Sequence, residues 1–308
     1  MPGVSVIIPT HNRAGLVVRA VESARQAGED VEIIVVDDGS MDETETICRK
    51  LADIRYIRFA QSRGQSEARN AGIAESSADY VAFLDDDDVL LSGALELHRE
   101  DLSADADAAF IYGHALLATQ AGVLTGSVHP RDYPDGDIFW EILGGFCPCP
   151  HTVLFRKSCF VRAGYFDKAY QPVEDWDLWI RISEKFKALA RRRAVGVYRC
   201  ATASSGQNTS RILNIAAASL RAQRRGFTLP RAQAASQTIR RVAQRRLRNL
   251  YSDKLVWTAA DSLTSGDGQR ARLELLAALR YSPCRAARPW TLKLLLASLR
   301  PFSSRGQA

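Results

Sequence analysis

The sequence predicts an α/β domain with a mostly parallel central sheet, followed by a helical appendage. Short β-branched runs alternate with segments of helical period through the first hundred residues, the pattern of parallel strands covered by helices. The runs are near-continuous rather than alternating, as strands buried on both faces require. Charge is divided as well. Residues 1–186 hold 17 Lys and Arg against 31 Asp and Glu, whereas residues 187–308 hold 24 against 4, so the two parts meet different electrostatic tasks.

Taken in order, Val4 to Ile8 reads as the first strand. Leu16, Val17, Ala20, Val21 and Ala24 then recur at helical spacing, with Gly28 placed to end that helix. Ile33 to Val36 is the second strand, and Ser40-Met41-Asp42-Glu43 fits a capping box opening a helix through Leu51. Tyr80 to Leu84 is the third strand. From about residue 108 the pattern loosens, with strand-like Ala109 to Tyr112 and Val153 to Phe155 and a helix starting near Asp175. Beyond about 205, Arg-rich helical segments dominate: Ile239 to Leu250, Arg272 to Leu279 and Leu292 to Leu299. The expected division is therefore a domain over 1–205 and a basic helical region over 206–308.

A chain of 308 residues, 46% hydrophobic, can bury a full core without staples. Its six cysteines, at 48, 147, 149, 159, 200 and 284, are scattered, and reduced thiols are expected. Cys147-Pro148-Cys149-Pro150-His151 supplies no fourth ligand and does not make a structural zinc site. Met1 to Ile8 lacks a basic n-region and a long apolar stretch, and Leu294 to Ala297 is far short of a membrane span. A cytoplasmic chain without a transmembrane helix is the expectation. The basic tail suits either nucleic acid or anionic lipid. Around Arg240, Arg241, Arg245, Arg246 and Arg248 no aromatic interleaving supports base recognition, while Leu247, Leu250 and Leu255 lie close by. An amphipathic face toward anionic lipid or a membrane-borne acceptor fits these residues, with a solvated helical face as the alternative.

Open α/β sheets bind ligands beyond the carboxyl ends of their strands. Here those ends are polar: Pro9-Thr10-His11-Asn12-Arg13, Asp37-Asp38-Gly39-Ser40 and Asp85-Asp86-Asp87-Asp88. Four successive aspartates need a counterion, since like charges ~4 Å apart repel by ~4 kcal/mol at a surface-like dielectric. Hard carboxylate oxygens suit Mg²⁺ or Mn²⁺, which keeps positions for water and substrate phosphate; a solvated acidic loop is the plain alternative. Asp37 and Asp38 alone also make a good turn. Arg69 follows the Arg63-Gly64 turn on a helix, where its guanidinium suits phosphate oxygens or an ion pair to Glu67 or Asp85. Glu174-Asp175-Trp176-Asp177-Leu178-Trp179 places carboxylates at a helix start. Successive helical residues point ~100° apart, so only one of Asp175 and Asp177 can serve as a base toward a given target, while Trp176, Trp179 and Ile180 pack inward.

Together these pieces resemble the family 2 glycosyltransferases of GT-A fold. The resemblance rests on Val-Ile-Ile-Pro-Thr-His-Asn-Arg (6 to 13), Ile-Val-Val-Asp-Asp-Gly-Ser-Met-Asp-Glu-Thr (34 to 44), Arg-Gly-Gln-Ser-Glu-Ala-Arg-Asn-Ala-Gly (63 to 72), Phe-Leu-Asp-Asp-Asp-Asp (83 to 88) and Gly-Tyr-Phe-Asp (164 to 167) leading into the Glu174 segment. It implies that Pro9, Thr10 and His11 wall a nucleotide pocket, that Asp38 accepts from the base imide, and that Arg69 approaches the base or phosphates. It further implies that Asp85 or Asp86 holds the ribose, that Asp87 coordinates a divalent cation on the diphosphate, and that Asp175 is the general base. The implied reaction moves a sugar, with inversion, from a nucleotide-diphosphate sugar to a hydroxyl of a saccharide or lipid-linked acceptor in cell-surface polysaccharide or glycolipid synthesis.

Two departures stand out. Ala201 follows Tyr198-Arg199 where many members have histidine, and Ser62 stands where Asn is common. The first keeps open a silent homologue that only binds donor. A module whose acidic pocket only holds a cation is a separate alternative, and the Glu174-Asp175 pair and the 308-residue length argue against it. A nucleotidyltransferase is a further alternative, but Pro-Thr-His-Asn-Arg is not the Gly-rich basic loop such enzymes carry after the first strand.

Overall fold

The protein is described from a computed structural model over residues 3–200 and 212–299. Two compact units divide these residues: one holds 3–142 and 146–200, the other 143–145 and 212–299.

In the first unit the β-branched runs form β1 (Val4–Thr10) and β2 (Val31–Asp37), joined by α1 (Ala14–Gln26). All seven residues of β1 are buried, as the unbroken apolar pattern requires. Helix α1 turns Val17, Ala20, Val21 and Ala24 onto the sheet and ends at Gln26, just before Gly28.

The expected capping box does not form. The next helix, α2 (Thr44–Cys48), starts later and ends earlier, with no side-chain cap at Glu43. Ser40 is taken by other partners: its hydroxyl accepts from Asn12 N at 2.8 Å and its own N–H donates to Asp37 Oδ1 at 2.8 Å. Asp42 serves the helix start instead, accepting from Thr44 N at 3.0 Å and Thr44 Oγ1 at 2.5 Å.

The chain continues through β3 (Ile54–Arg58), α3 (Gln65–Glu75), β4 (Tyr80–Phe83), β5 (Val89–Leu90), α4 (Ala94–Ser103), β6 (Ala108–Ala118), β7 (Leu124–His129), α5 (Phe139–Leu143), β8 (Val153–Arg156), α6 (Ser158–Ala163), α7 (Glu174–Ser183) and β9 (Lys187–Arg199). The strands form one sheet in the order β3-β2-β1-β4-β8-β6-β9-β5, with β7 on β6. The first four are parallel, β8 enters antiparallel between β4 and β6, and β6 and β9 pair in parallel. The short β5 and β7 are antiparallel additions.

Two local features fix the carboxyl ends of the strands. Pro9 cannot donate to a ladder, which ordinarily bars it from a central strand. β1 outlasts β4, however: Leu84 N donates to Ile7 O at 3.0 Å and the pairing stops there, so the missing N–H of Pro9 faces no strand partner. Gly72, inside α3, is required by proximity. A Cβ there would lie 2.3 Å from Ile7 Cγ2, so the helix sits against β1 more closely than any other residue permits.

The second unit is helical: α8 (Ile212–Gly226), α9 (Pro230–Ala234), α10 (Gln237–Thr264), α11 (Gly268–Tyr281), α12 (Pro283–Ala286) and α13 (Pro289–Ser298). Along α10, Ala243, Leu247, Tyr251, Leu255 and Ala259 are buried at four-residue spacing, the stripe that packs a helix on its neighbours. Hydroxyls tie the helices together. Ser219 and Tyr251 share a bond at 2.6 Å, and Ser252 donates to Ala278 O at 3.0 Å. Ser236 caps α10 and Asp267 caps α11. Among the described residues, no helix is long and apolar enough to cross a membrane.

Candidate active site

The four aspartates after β4 occupy a tight turn, in which Asp88 N donates to Asp85 O at 3.0 Å, and their side chains go to different partners. Asp85 accepts from Arg69 Nη2 at 2.7 Å and Gln65 Nε2 at 3.0 Å. Asp86 accepts from Thr10 Oγ1 at 2.7 Å and Arg13 Nη1 at 2.5 Å. The same guanidinium lies 3.1 Å from Asp87. Asp88 meets His151 Nδ1 at 3.0 Å and accepts from Arg199 N at 2.9 Å. The Arg13 and Arg69 guanidiniums therefore already offset much of the repulsion that four carboxylates would suffer alone. Burial, opposed by Arg13, pushes the Asp86 carboxyl up to about 7. Burial, opposed by His151, also raises Asp88.

At the end of β2 two adjacent aspartates diverge. Asp37 points inward to Ser40 N and to Tyr56 OH at 2.5 Å. Asp38 caps the 62–64 loop, accepting from Ser62 Oγ at 2.6 Å, Arg63 N at 2.6 Å and Gly64 N at 2.9 Å. Gly39 makes this close approach possible: its φ is +75° and a Cβ would fall 2.8 Å from the backbone of Gln61 and Ser62. After β1, His11 Nδ1 donates to Asp38 O at 2.8 Å while Asn12 Nδ2 donates to His11 Nε2 at 2.9 Å, a network that assigns the proton to Nδ1. His11 thus stands exposed at the rim, above Asp38.

The third wall is the start of α7. Arg69, 2% exposed, spans from Asp85 to Glu174 Oε1 at 3.0 Å and lies over the Phe166 ring at 5.3 Å. Of the ion pairs open to Arg69 from sequence, the one with Asp85 forms, and Glu174 is the second partner. Asn70 locks the same corner, donating to Phe166 O at 2.9 Å and accepting from Phe166 N at 3.0 Å. Phe166 in turn meets Phe83 edge-on at 5.0 Å, and Phe155 meets Trp179 at 4.6 Å. The aromatic platform holds β4 and α7 in fixed relation.

Asp175 and Asp177 separate as helical geometry demands. Asp177 pairs with Arg181 at 3.0 Å, whose guanidinium also donates to Ala163 O and Tyr165 O, at 2.5 and 2.7 Å. Asp175 accepts from Trp176 N at 2.7 Å and keeps part of its surface open to solvent. Burial, then the Glu174 carboxylate, pushes its carboxyl up to about 7, with Arg69 opposing. Trp176, Trp179 and Ile180 are buried, as their spacing predicts.

Sequence context does not mark Arg13 or His151 as members of this site, nor Glu174, which stands beside Asp175 in its motif, as the partner of Arg69. The signal is polar complementarity alone: each pairs with a residue far away in the chain. Ala201 lies outside the described residues. Among the described residues no three His, Cys, Asp or Glu side chains converge to hold a metal.

Residues 5–161, more than half of the chain, match the sequence profile of glycosyl transferase family 2. The chain belongs to that family. A protein from Campylobacter jejuni, named GalNAc(5)-diNAcBac-PP-undecaprenol beta-1,3-glucosyltransferase, is 36% identical over 129 residues, 40% of this chain and 41% of that protein. An uncharacterized glycosyltransferase of Rickettsia bellii is 31% identical over 188 residues, 59% of this chain and 26% of that protein. The match therefore spans less than half the length of these two relatives. Among solved structures, the mannosyltransferase PcManGT from Pyrobaculum calidifontis, in complex with GDP-Man and Mn²⁺, aligns with a TM-score of 0.61 at 18% identity, over 96% of this chain and 86% of that one. At that identity the likeness establishes the GT-A-type fold of this family 2 chain.

Proposed function

We propose that the chain is an inverting glycosyltransferase that moves a sugar from a nucleotide-diphosphate donor to a hydroxyl of a saccharide or lipid-linked acceptor. The observation that carries this reading is Arg69, which ties the aspartate turn after β4 to the helix start bearing Asp175. Donor-side and base-side carboxylates are thereby held on one buried cation.

In this reading Pro9, Thr10 and His11 wall the nucleotide pocket, Asp38 accepts from the base, and Asp85 or Asp86 holds the ribose. Arg69 supports that wall from behind Asp85. The acceptor hydroxyl attacks the anomeric carbon from the face opposite the diphosphate; the new C–O bond forms as the old one breaks, and its electron pair leaves with the diphosphate. Asp175 receives the acceptor proton, and its carboxyl near 7 suits proton transfer around neutral pH.

A divalent cation, Mg²⁺ or Mn²⁺, fits the donor set. Asp87 supplies a hard oxygen, and Mg²⁺ characteristically uses one or two carboxylates and fills its shell with phosphate and water, so no three-residue cage is needed. Bound there, the ion would offset charge on the diphosphate. The relative from Campylobacter jejuni, named for a diphosphate-linked undecaprenol substrate, supports a lipid-linked acceptor in cell-surface glycan synthesis. With the basic 206–308 region, it also supports work on the cytoplasmic face of a membrane.

The test is thermal stabilisation and donor turnover with UDP-, GDP- and dTDP-sugars, each with Mn²⁺, Mg²⁺ or EDTA. One nucleotide should stabilise the wild type in a metal-dependent way that Asp87→Ala removes. Asp175→Asn should keep binding and lose turnover by about 10²- to 10⁴-fold. Absence of any stabilising nucleotide sugar would overturn the donor site.

A further inference from the structure

The helical unit carries a concavity of about 620 Å³, within the size range of ligand sites. Three helices build it. On α8, Leu220, Arg221 and Arg224 fall on one face by their spacing; α10 contributes Arg248; α11 contributes Leu276 and Arg280. The wall is therefore split by chemistry into leucine and arginine.

The arginines are the feature that needs explaining. Like charges around one hollow repel, and a folded chain ordinarily relieves them with acids. Among the described residues none of the four has a carboxylate within ion-pair distance. Three of the four acids on these helices and their caps are committed elsewhere, and the fourth, Asp261, lies about 20 Å along α10 from Arg248. Asp253 pairs with Arg285 at 2.8 Å, Glu274 with Arg270 at 3.0 Å and with Ser262, and Asp267 caps α11.

We propose that this concavity is a second anion site, which takes a phosphate or diphosphate ester carrying an apolar chain. Guanidinium forks match phosphate oxygens in pairs, and several together fit a doubly or triply charged group better than a carboxylate. The volume exceeds the needs of a bare phosphate, and Leu220 and Leu276, the latter 51% exposed, offer the apolar contact that an inorganic anion would leave unused. All its lining residues belong to the helical unit, so this inference is independent of the donor reading.

The test is calorimetric titration of the full chain in EDTA, which removes any metal-assisted diphosphate binding at the aspartate turn, at about 0.15 M salt. The probes are farnesyl diphosphate, inorganic diphosphate, farnesol and a single-stranded oligonucleotide. The proposal expects farnesyl diphosphate to bind at least about tenfold more tightly than inorganic diphosphate or farnesol. It also expects Arg224→Gln with Arg280→Gln to weaken that binding by about tenfold or more. Both side chains are exposed, so the double variant should unfold at the wild-type temperature; nucleotide-sugar stabilisation of that variant reports separately on the donor site.

Equal affinity for inorganic diphosphate would reduce the site to a simple anion hole and overturn the amphiphile. Farnesyl diphosphate binding unchanged in the double variant would overturn the location. Oligonucleotide binding that the variant abolishes, with no farnesyl diphosphate binding in the wild type, would assign the arginines to nucleic acid instead.

Discussion

Asp37 and Asp38 are adjacent and chemically identical, yet one is fixed inward by Ser40 and Tyr56 while the other caps the 62–64 loop. Neighbour identity decides such roles, and the same holds for Asp175. Its raised carboxyl must be deprotonated to act as a base. Turnover at limiting substrate should therefore rise about tenfold per pH unit on the acid side and level off above about pH 7; a limb near pH 4 would remove Asp175 from that role. Arg69 carries a different expectation. Arg69→Met leaves the buried Glu174 carboxylate uncompensated and the half-buried Asp85 with only Gln65, and denaturant unfolding should show a loss of about 3 kcal/mol or more. Arg69→Lys should recover only part, because an ammonium cannot fork between two carboxylates.

At the scale of elements, propensity and packing oppose one another in α3. Helix propensity alone makes Gly72→Ala favourable by about 1 kcal/mol. The 2.3 Å approach to Ile7 reverses the sign, and overpacking of this kind typically costs about 1–3 kcal/mol. A lowered thermal midpoint is expected, and a raised one would mean that β1 and α3 can separate without cost. Strand periodicity made β1, β2 and β4 legible in the sequence, because burial on both faces leaves only apolar residues to choose from. The parallel pairing of β6 and β9 was not legible, since it joins segments far apart in the chain. The capping box failed for a related reason: a local motif at Ser40 was outbid by Asn12, brought close by the fold. In the site, Asp85 to Asp88 and Asp175 could be picked out from sequence. Their partners Arg13 and His151, and the pairing of Glu174 with Arg69, could not, because a tertiary contact has no fixed spacing in the chain.

For the molecule as a whole, the division of charge makes a prediction about surfaces. Residues 187–308, with 24 basic against 4 acidic side chains, should draw the full chain onto anionic vesicles at low salt. Sedimentation should fall steeply as ionic strength approaches about 0.15 M, and salt-independent or absent sedimentation would remove the membrane reading. Arg69 has a consequence of another kind. It joins Glu174, 105 positions away in the chain, to Asp85 in the turn after β4, and both of its contacts act on the proton affinity of Asp175. The Asp85 carboxylate raises that affinity and the Arg69 cation lowers it. Removing either charge therefore retunes the base from a distance, in opposite directions. A kinetic defect at Asp85 reports on two events at once, the loosened grip on a donor and the altered basicity of a carboxylate in another part of the sequence.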